Sequence, residues 1–480
     1  MKKILSKKDY LELQILEYLF NNTHTDLSLL SESLSVDKRT IRSAIQAINS
    51  KFSPIEILNY NNFFKLKIPH NYSIRYVYST ILQNSLEFKI IELCFFESNI
   101  SLSKLENTLF ISNSTLKRKL KKINNVLSNE KFSISLTSLR LVGESTTIQN
   151  FITYYIYDAY LLKNKAFKKN EYSLIKKAIT LYAQVRNIEI NEQDLDKATV
   201  IILVHFYFKK NSGTLHKSKN TPKLDILLER QIKYLFFPNS NFFNLYSALK
   251  TLQEKLLFTT YDQLLLEIEQ NIELKIIYEN FNNIINNICS TFSINHPDNM
   301  EKLLLDLCTV YNMNFGKPFI LYDKYYLFVK QMMHNHSDLI LFIQNQFDSY
   351  FENIEEHSIN SFIYILVTHW KELINCIEQN KTKVTIALIY DTDDEHINML
   401  ESDISTHLHH HCIIQKEPMH FLYSPNHLYN KKYDLIITNI PGIDISEIKV
   451  LCLPIYPSLS DWIDLGVIYK ELTQNKLINY

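Results

Sequence analysis

A 24-residue segment near the N-terminus occurs twice in the chain, 75 residues apart. Residues 26–49, DLSLLSESLSVDKRTIRSAIQAIN, align without a gap to residues 101–124, SLSKLENTLFISNSTLKRKLKKIN. Apolar positions coincide, since Leu30 matches Leu105, and hydroxyl positions coincide, since Thr40 matches Thr115. A repeat that keeps both kinds of position predicts two copies of one folding unit.

Each copy is predicted to be a helix-turn-helix. Asp37 can cap the second helix of the first copy, and Ser28 can cap the short helix before it. The link between the helices, residues 35–37, has the length of a helix-turn-helix turn. Ser112 is the corresponding cap in the second copy. The second helix of the first copy has one apolar stripe at helical spacing, formed by Ile41, Ala44, Ile45 and Ile48.

Two alternating apolar segments follow each helix-turn-helix. In the first copy they lie at residues 55–57 and 64–68, with three asparagines between them. In the second copy they lie at residues 132–136 and 139–141. Alternation on both sides of a polar turn predicts a hairpin. Each copy is therefore expected to be a winged helix-turn-helix.

The start of each second helix is crowded with cations and hydroxyl groups. Arg and Gln at the beginning of a recognition helix can pair with base edges, whereas Lys and Thr bind mostly to phosphates. A solvated basic face is the alternative interpretation. The side chains predicted to contact double-stranded DNA are Lys38, Arg39, Thr40, Arg42, Ser43 and Gln46 in the first copy and Asn113, Ser114, Thr115, Lys117, Arg118 and Lys121 in the second.

The charge distribution agrees with a polyanionic partner at the N-terminal end. The chain has 51 Lys and Arg residues and 51 Asp and Glu residues, but residues 1–170 hold 24 of the basic and only 14 of the acidic ones. A basic third in a neutral protein favours a nucleic-acid contact at that end.

Scarce glycine excludes several common enzyme classes. The five glycines are isolated from one another, whereas a dinucleotide fingerprint, a phosphate loop and a nucleophile elbow each need closely spaced glycines. The six cysteines are scattered and no apolar run reaches the length of a membrane span. We therefore expect a cytoplasmic protein with no membrane partner, no cofactor and no metal.

The middle of the chain, from about residue 150 to 380, has an almost wholly helical pattern. Two segments place a histidine beside an Ile-Leu-Val triplet: ATVIILVHFYFKKN holds His205 and SFIYILVTHWKEL holds His369. Such a histidine can be a satisfied core residue or an imidazole that accepts a phosphoryl group. His216, His334 and His336 are competing candidates.

The pattern changes after Lys381. Three apolar segments, VTIALIYD, YDLIITNI and KVLCLPIY, alternate with helical ones and predict a small α/β domain with a largely parallel sheet. Carboxylates follow the first strand at Asp391, Asp393 and Asp394, where a cation could bind, although a solvated acidic loop is the simpler interpretation. The run HLHHHC, residues 407–412, is an unconvincing zinc site because successive residues cannot all face one metal.

The whole order resembles the Mga family of virulence regulators from Gram-positive bacteria. The segments that carry the resemblance are LSVDKRTIRSAIQAIN and ISLSKLENTLFISNSTLKRKLKKIN. The resemblance implies winged helix-turn-helix domains at residues 1–70 and 71–160, helical regulation domains of the sugar phosphotransferase system at 161–275 and 276–380, and an enzyme-IIB-like α/β domain at 381–480. It also implies DNA binding by both helix-turn-helix units and phosphorylation of His205 and His369 by a phosphotransferase-system donor.

The tail departs from enzyme IIB domains, which carry a phosphocarrier cysteine after the first strand. Here Tyr390, Asp391 and Thr392 occupy that corner. We therefore expect a tail without catalysis that serves self-association into a homodimer. The expected function is transcription regulation, and the rivals are a protein-interaction scaffold that docks through its winged helices and a phosphotransferase-system component.

Overall fold

The computed structural model describes residues 1–22, 25–61, 63–97, 100–161, 163–185, 188, 190–212, 259–313, 316–380, 383–408, 412–423, 432–446 and 448–478. Two compact parts are distinguishable. We call Met1–Ile284 with Asn299–His369 the N-terminal body, and Ile285–Asp298 with Trp370–Tyr480 the C-terminal body. The described residues are mostly helical, with a small parallel sheet near the C-terminus, which confirms the predicted fold class at that level.

The first helix-turn-helix copy occupies residues 7–84. It contains the recognition helix α3, the helix α2 before it and a hairpin after it, flanked by a helix at each end. Its elements are α1 (Lys7–Asn21), β1 (Thr25–Asp26), α2 (Leu27–Leu34), α3 (Lys38–Lys51), β2 (Glu56–Tyr60), β3 (Phe63–Lys67) and α4 (Ile74–Asn84).

The second copy repeats this order over residues 86–159, without a counterpart of β1. Its recognition helix is α7, and its closing helix α8 corresponds to α4. Its elements are α5 (Leu86–Phe96), α6 (Leu102–Leu109), α7 (Asn113–Leu127), β4 (Phe132–Ile134), β5 (Leu141–Gly143) and α8 (Ser145–Ala159).

Both predicted hairpins are present. β2 and β3 pair in antiparallel register, with Tyr60 opposite Phe63, and β1 adds to the other edge of β3. β4 and β5 pair in the same way, with Phe132 opposite Gly143. Gly143 has a φ of +141°, and a Cβ there would lie 2.5 Å from the carbonyl oxygen of Lys131, so this position requires glycine. The winged-helix assignment of the two copies stays a prediction.

One predicted cap is wrong. The N-cap of α2 is Asp26, not Ser28, and its side chain accepts hydrogen bonds from the backbone N–H groups of Ser28 (2.6 Å) and Leu29 (2.8 Å). Ser101 occupies the corresponding position and caps α6. The repeat therefore matches cap for cap at both helices of each copy, since Asp37 and Ser112 cap α3 and α7 as predicted.

The rest of the N-terminal body is helical in its described residues. α8 packs against α4 and against α10, the helix that contains His205. Phe281, Phe347 and Phe362 are fully buried and form one aromatic cluster in the second helical part. The helices are α9 (Lys169–Val185), α10 (Glu192–Ser212), α11 (Tyr261–Gln270), α12 (Ile272–Phe292), α13 (Met300–Met313), α14 (Lys324–Asn335), α15 (Ser337–Tyr350) and α16 (Glu356–His369), of which α12 continues into the C-terminal body.

The C-terminal body contains a four-stranded parallel sheet in the order β7-β6-β8-β9. Three strands are those predicted, and β7 at the edge is additional. β7 was not predicted because Gln415 and Lys416 interrupt its apolar pattern. The elements are α17 (Leu373–Asn380), β6 (Val384–Ile389), α18 (Asp394–His407), β7 (Cys412–Lys416), β8 (Leu435–Thr438), β9 (Lys449–Cys452) and α19 (Leu459–Ile478).

Strand β6, one of the two inner strands of this sheet, is buried on both faces. Ile386 and Leu388 face one hydrophobic core together with Leu400, and Ala387 and Ile389 face another. This explains the continuous apolar run of the segment, which is typical of parallel strands covered on both sides. Among the helices that the structure describes, none combines the length and the apolar character that crossing a bilayer requires.

Candidate nucleic-acid interface

The start of α3 is held by its cap. The carboxylate of Asp37 accepts hydrogen bonds from the backbone N–H (2.9 Å) and the hydroxyl (2.6 Å) of Thr40. The hydrogen bond from the Thr40 side chain is the main reason why the pKa of Asp37 is lowered. The predicted apolar stripe is buried, which fixes the rotation of the helix: Ile41, Ala44, Ile45 and Ile48 face the core.

Because that stripe faces inward, the remaining side chains of α3 at its start face solvent. The Nζ of Lys38 donates a hydrogen bond to the hydroxyl of Ser28 at 2.8 Å. Within the described part of the chain, the guanidinium groups of Arg39 and Arg42 form no hydrogen bond or ion pair, so they are available to a ligand. All six predicted contact residues of the first copy are exposed, namely Lys38, Arg39, Thr40, Arg42, Ser43 and Gln46.

α7 has the same construction. The hydroxyl of Ser112 accepts a hydrogen bond from the backbone N–H of Thr115 at 3.3 Å, and Asn113 donates to the carboxylate of Glu106. Leu116, Leu120 and Ile123 are fully or almost fully buried. Five of the six predicted contact residues are exposed, and Thr115 is half-buried; the exposed ones are Asn113, Ser114, Lys117, Arg118 and Lys121.

Only part of the positive charge of α7 faces solvent. Lys119 forms an ion pair of 2.6 Å with the buried carboxylate of Glu87 on α5. Lys122 donates a hydrogen bond to the backbone carbonyl of Leu5, and burial lowers its pKa. Both lysines therefore bind groups within the protein. The cations of α7 that remain exposed to a polyanion are Lys117, Arg118 and Lys121.

The turns before the two recognition helices are also equivalent. Ser35 and Phe110, 75 residues apart, both adopt left-handed backbone conformations, with φ of 52° and 53°. The next residue in each copy, Val36 or Ile111, donates its N–H to the carbonyl five residues before it. This geometry ends the helix and redirects the chain into the recognition helix, in place of the glycine that often serves there.

A matched asparagine fastens each recognition helix to its hairpin. Asn49 accepts a hydrogen bond from the N–H of Ile57 (2.7 Å) and donates to its carbonyl (3.0 Å). Asn124 makes the same pair of bonds with Ile134, at 2.7 and 2.8 Å. Asn49 and Asn124 are the last residues of the aligned segments, and their partners Ile57 and Ile134 lie after those segments. The structural repeat therefore includes the hairpins as well as the aligned residues.

The repeat also extends upstream, which the sequence analysis missed. LELQILEYLF at residues 11–20 matches LEFKIIELCF at residues 86–95 with the same 75-residue offset. Glu17 accepts a hydrogen bond of 2.6 Å from the hydroxyl of Tyr78, and Glu92 accepts one of 2.5 Å from Tyr155. A comparison continued toward the N-terminus would have found this signal.

The two predicted phosphorylation sites lie in different environments. His205 on α10 is 7% exposed, and its Nδ1 lies 3.0 Å from the side-chain oxygen of Gln149 on α8. His369 ends α16 with a side chain that is 37% exposed, and its Nδ1 lies 2.6 Å from a carboxylate oxygen of Asp306 on α13. Of the competitors, His334 is exposed and His336 is half-buried, whereas His216 falls outside the described residues.

In the acidic corner of the tail, Asp391 is hydrogen-bonded to Asn439, which directly follows β8. The side chain of Asn439 donates to Asp391, and its oxygen accepts from the backbone N–H of Asp391 at 3.2 Å. Thr392 hydrogen-bonds His396 at 2.8 Å. In the HLHHHC run, His407 stacks on Trp462 with ring centroids 3.9 Å apart, while residues 409–411 lie outside the described part.

Comparison with known proteins agrees with the helix-turn-helix assignment. Residues 70–157 match the Mga helix-turn-helix domain, a range that spans α4 and nearly all of the second copy. The chain is also 22% identical over 470 residues to a protein of Streptococcus pneumoniae serotype 4 named "Putative trans-acting regulator", an alignment that covers 92% of this chain and 94% of that protein. These two similarities confirm the resemblance to the Mga family that the sequence suggested, and residues 70–157 are the part that matches the helix-turn-helix domain of that family.

Proposed function

We propose that this protein is a transcriptional regulator that binds double-stranded DNA through both recognition helices. The observation that carries the proposal is the matched exposure of cationic and hydroxyl side chains at the start of α3 and of α7. The apolar stripe of each helix is buried, so these groups project outward together, as a groove-binding helix requires. Such a regulator acts in the cytoplasm on chromosomal DNA, and it needs no catalytic site.

A selection from a random double-stranded DNA library, followed by titration of the selected DNA at several salt concentrations, tests this function. We expect an enriched sequence and an affinity that falls steeply with salt, because phosphate contacts release counterions. If no sequence is enriched and the affinity does not change with salt, the DNA-binding function is wrong, and a protein-docking role for the helix-turn-helix copies would then be favoured.

We further propose that a phosphotransferase-system phosphodonor protein regulates this activity by phosphorylating His369. Its partner Asp306 accepts a hydrogen bond from the Nδ1–H group, which leaves the Nε2 lone pair to receive a phosphoryl group. The side chain is 37% exposed, so a protein donor can approach it. The added negative charge beside Asp306 would repel that carboxylate and disturb the packing of α16 on α13.

His205 is the weaker of the two proposed phosphorylation sites. At 7% exposure, its ring is reached by a donor protein only after α10 moves away from α8. This proposal therefore assigns His369 the primary role and His205 a role that depends on such an opening.

The C-terminal body is proposed to form a homodimer. On α19, Leu459, Ile463 and Val467 lie four residues apart and are 79%, 58% and 52% exposed. A stripe of this kind on a helix is covered by an equivalent stripe in a two-fold symmetric dimer. Ile463→Glu is expected to shift sedimentation from dimer to monomer, and Asp464→Asn, one residue further along, is expected to leave the dimer intact.

A further inference from the structure

Two glutamates at equivalent positions of the two copies are completely buried. Glu12 on α1 and Glu87 on α5 both have no exposed surface. A buried carboxylate is stable only with a cation or strong hydrogen bonds, because the interior cannot solvate it. In both copies the nearest cation is a lysine of the recognition helix of the same copy, and Glu12 has a second, more distant one in Lys8 of α1, at 3.9 Å.

The distances show close ion pairs. The Nζ of Lys51, at the end of α3, lies 2.8 Å from Glu12 and 2.8 Å from Asp9. The Nζ of Lys119, in the middle of α7, lies 2.6 Å from Glu87. Burial opposes the charge of Lys51, but hydrogen bonds to the carboxylates outweigh it and raise the pKa of Lys51, so this lysine stays charged.

The two ion pairs belong to one cluster that joins the copies. Lys122 of α7 donates to the backbone carbonyl of Leu5, just before α1. Burial raises the pKa of Asp9, but hydrogen bonds from Lys51 and Ser6 and the charge of Lys51 outweigh burial and lower it. The charge of Lys119 in the second copy makes a smaller contribution in the same direction. The cluster contains three carboxylates and four ammonium groups, the carboxylates of Asp9, Glu12 and Glu87 and the ammonium groups of Lys8, Lys51, Lys119 and Lys122.

We propose that this cluster locks the two recognition helices into one rigid reader of a single continuous DNA segment, with Glu12 and Glu87 as positioning residues. The inference rests on the proposed DNA-binding function and adds a fixed spacing between its two contact surfaces. Apolar packing alone is not directional, whereas an ion pair with defined hydrogen bonds holds one orientation. The ammonium groups of Lys51, Lys119 and Lys122 bind carboxylate or backbone oxygens of the chain itself, and we therefore do not expect them to bind DNA.

The DNA obtained by selection allows a direct test. Footprinting first defines the two stretches protected by the full-length chain, and DNA with 2 or 5 base pairs inserted between them is then prepared. For the unmodified protein, we expect the insertions to lower the affinity at least 100-fold. Lys122→Met removes the hydrogen bond that connects α7 of the second copy to Leu5, just before the first copy. We expect this variant to bind the original DNA about tenfold more weakly. Insertion should then lower its affinity less than tenfold further.

Lys121→Met is the matched control, because it removes the same charge from the adjacent, outward-facing position. We expect it to weaken binding to every DNA equally and to reduce the dependence on salt, whereas Lys122→Met leaves the salt dependence unchanged. The double variant Glu87→Gln with Lys119→Met removes the buried pair without leaving a lone charge, and it should reproduce the tolerance to insertions if Lys122→Met does not fold.

Two results would overturn the inference while leaving DNA binding intact. One is an unmodified protein that tolerates the insertions. The other is a folded Lys122→Met or double variant whose affinity falls as much on insertion as that of the unmodified protein. Failure to select any DNA is a different outcome, because it removes the proposed function and the inference together.

Discussion

Glu12 and Glu87 are bound by lysines from different turns of the two recognition helices. Lys51 aligns with Val126 of the second copy, and Lys119 aligns with Ala44 of the first. The two lysine positions differ by seven residues, which is about two turns, so both face the same side of the helix. Each copy thus has a buried glutamate at the equivalent position and a lysine of the recognition helix that pairs with it. The lysines lie about two turns apart along their respective helices.

The first prediction concerns base recognition by α3. Arg39→Ala combined with Arg42→Ala should weaken DNA binding by about 1–3 kcal/mol for each arginine that reads a base, because arginine pairs bidentately with guanine. Gel-shift titration of the selected DNA measures the change, and Lys302→Ala, an exposed cation of α13, is the control. Unchanged affinity in the double variant would mean that α3 does not read the bases and that α7 is responsible for sequence recognition.

The second prediction concerns the binding of DNA phosphates by α7. Replacing Lys117 and Lys121 with alanine should reduce the slope of log affinity against log salt by about 0.9 for each phosphate that is no longer neutralised. The measurement is fluorescence anisotropy at several salt concentrations. A slope equal to that of the unmodified chain would mean that these exposed lysines do not touch the backbone of DNA.

The third prediction concerns the asparagine clamps. Asn49→Ala and Asn124→Ala should each lower the free energy of unfolding by about 1–3 kcal/mol, because each leaves strand backbone groups without their partners. Urea denaturation measures the decrease. Asn125→Ala, at the neighbouring exposed position, should have little effect, and an equal decrease there would contradict the role of the clamp.

The fourth prediction concerns Asp158, whose carboxylate accepts backbone hydrogen bonds from Ile320 (2.8 Å) and Leu321 (3.3 Å). Burial raises the pKa of Asp158 to about 6 from a usual value of 3.8, against those hydrogen bonds and nearby Arg75, which lower it. The folded chain therefore holds a proton that the unfolded chain releases between about pH 4 and pH 6. In this window the contribution of Asp158 to stability falls as pH rises.

Asp158→Asn lacks this titration. From pH 4 to pH 7, the unfolding free energy of this variant should increase relative to that of the unmodified chain by about 2 kcal/mol. Urea denaturation at both pH values tests this, with Asp338→Asn at the start of α15 as control. A difference that does not change with pH would show that Asp158 titrates normally.

The fifth prediction concerns phosphorylation. Incubation with purified phosphodonor components should label the chain at His369, and His369→Ala should remove most of the label. Asp306→Asn should slow labelling, because the carboxylate no longer orients the ring. Mass spectrometry locates the label, and His334→Ala is the control; a label that persists in His369→Ala and disappears in His205→Ala would reverse the assignment.

The sequence alone determined the local structure of the DNA-binding region. Helical spacing predicts which face of α3 is buried, and the cap at Asp37 sets where that helix begins, because both depend on residues a few positions apart. The outward direction of Arg39 and Arg42 follows from the buried stripe. The repeat itself, the hairpins and the parallel sheet were likewise predictable from periodicity.

Only the tertiary structure decided which charged side chains remain exposed and can bind a partner. Lys119 and Lys121 are both cations of one helix in the sequence, but Lys119 points at Glu87, which lies 32 residues earlier on another helix. The accessibility of His205 and His369 depends in the same way on helices distant in the chain. Burial and ion pairing between remote segments are set by packing, and a local pattern of residues carries no information about such partners.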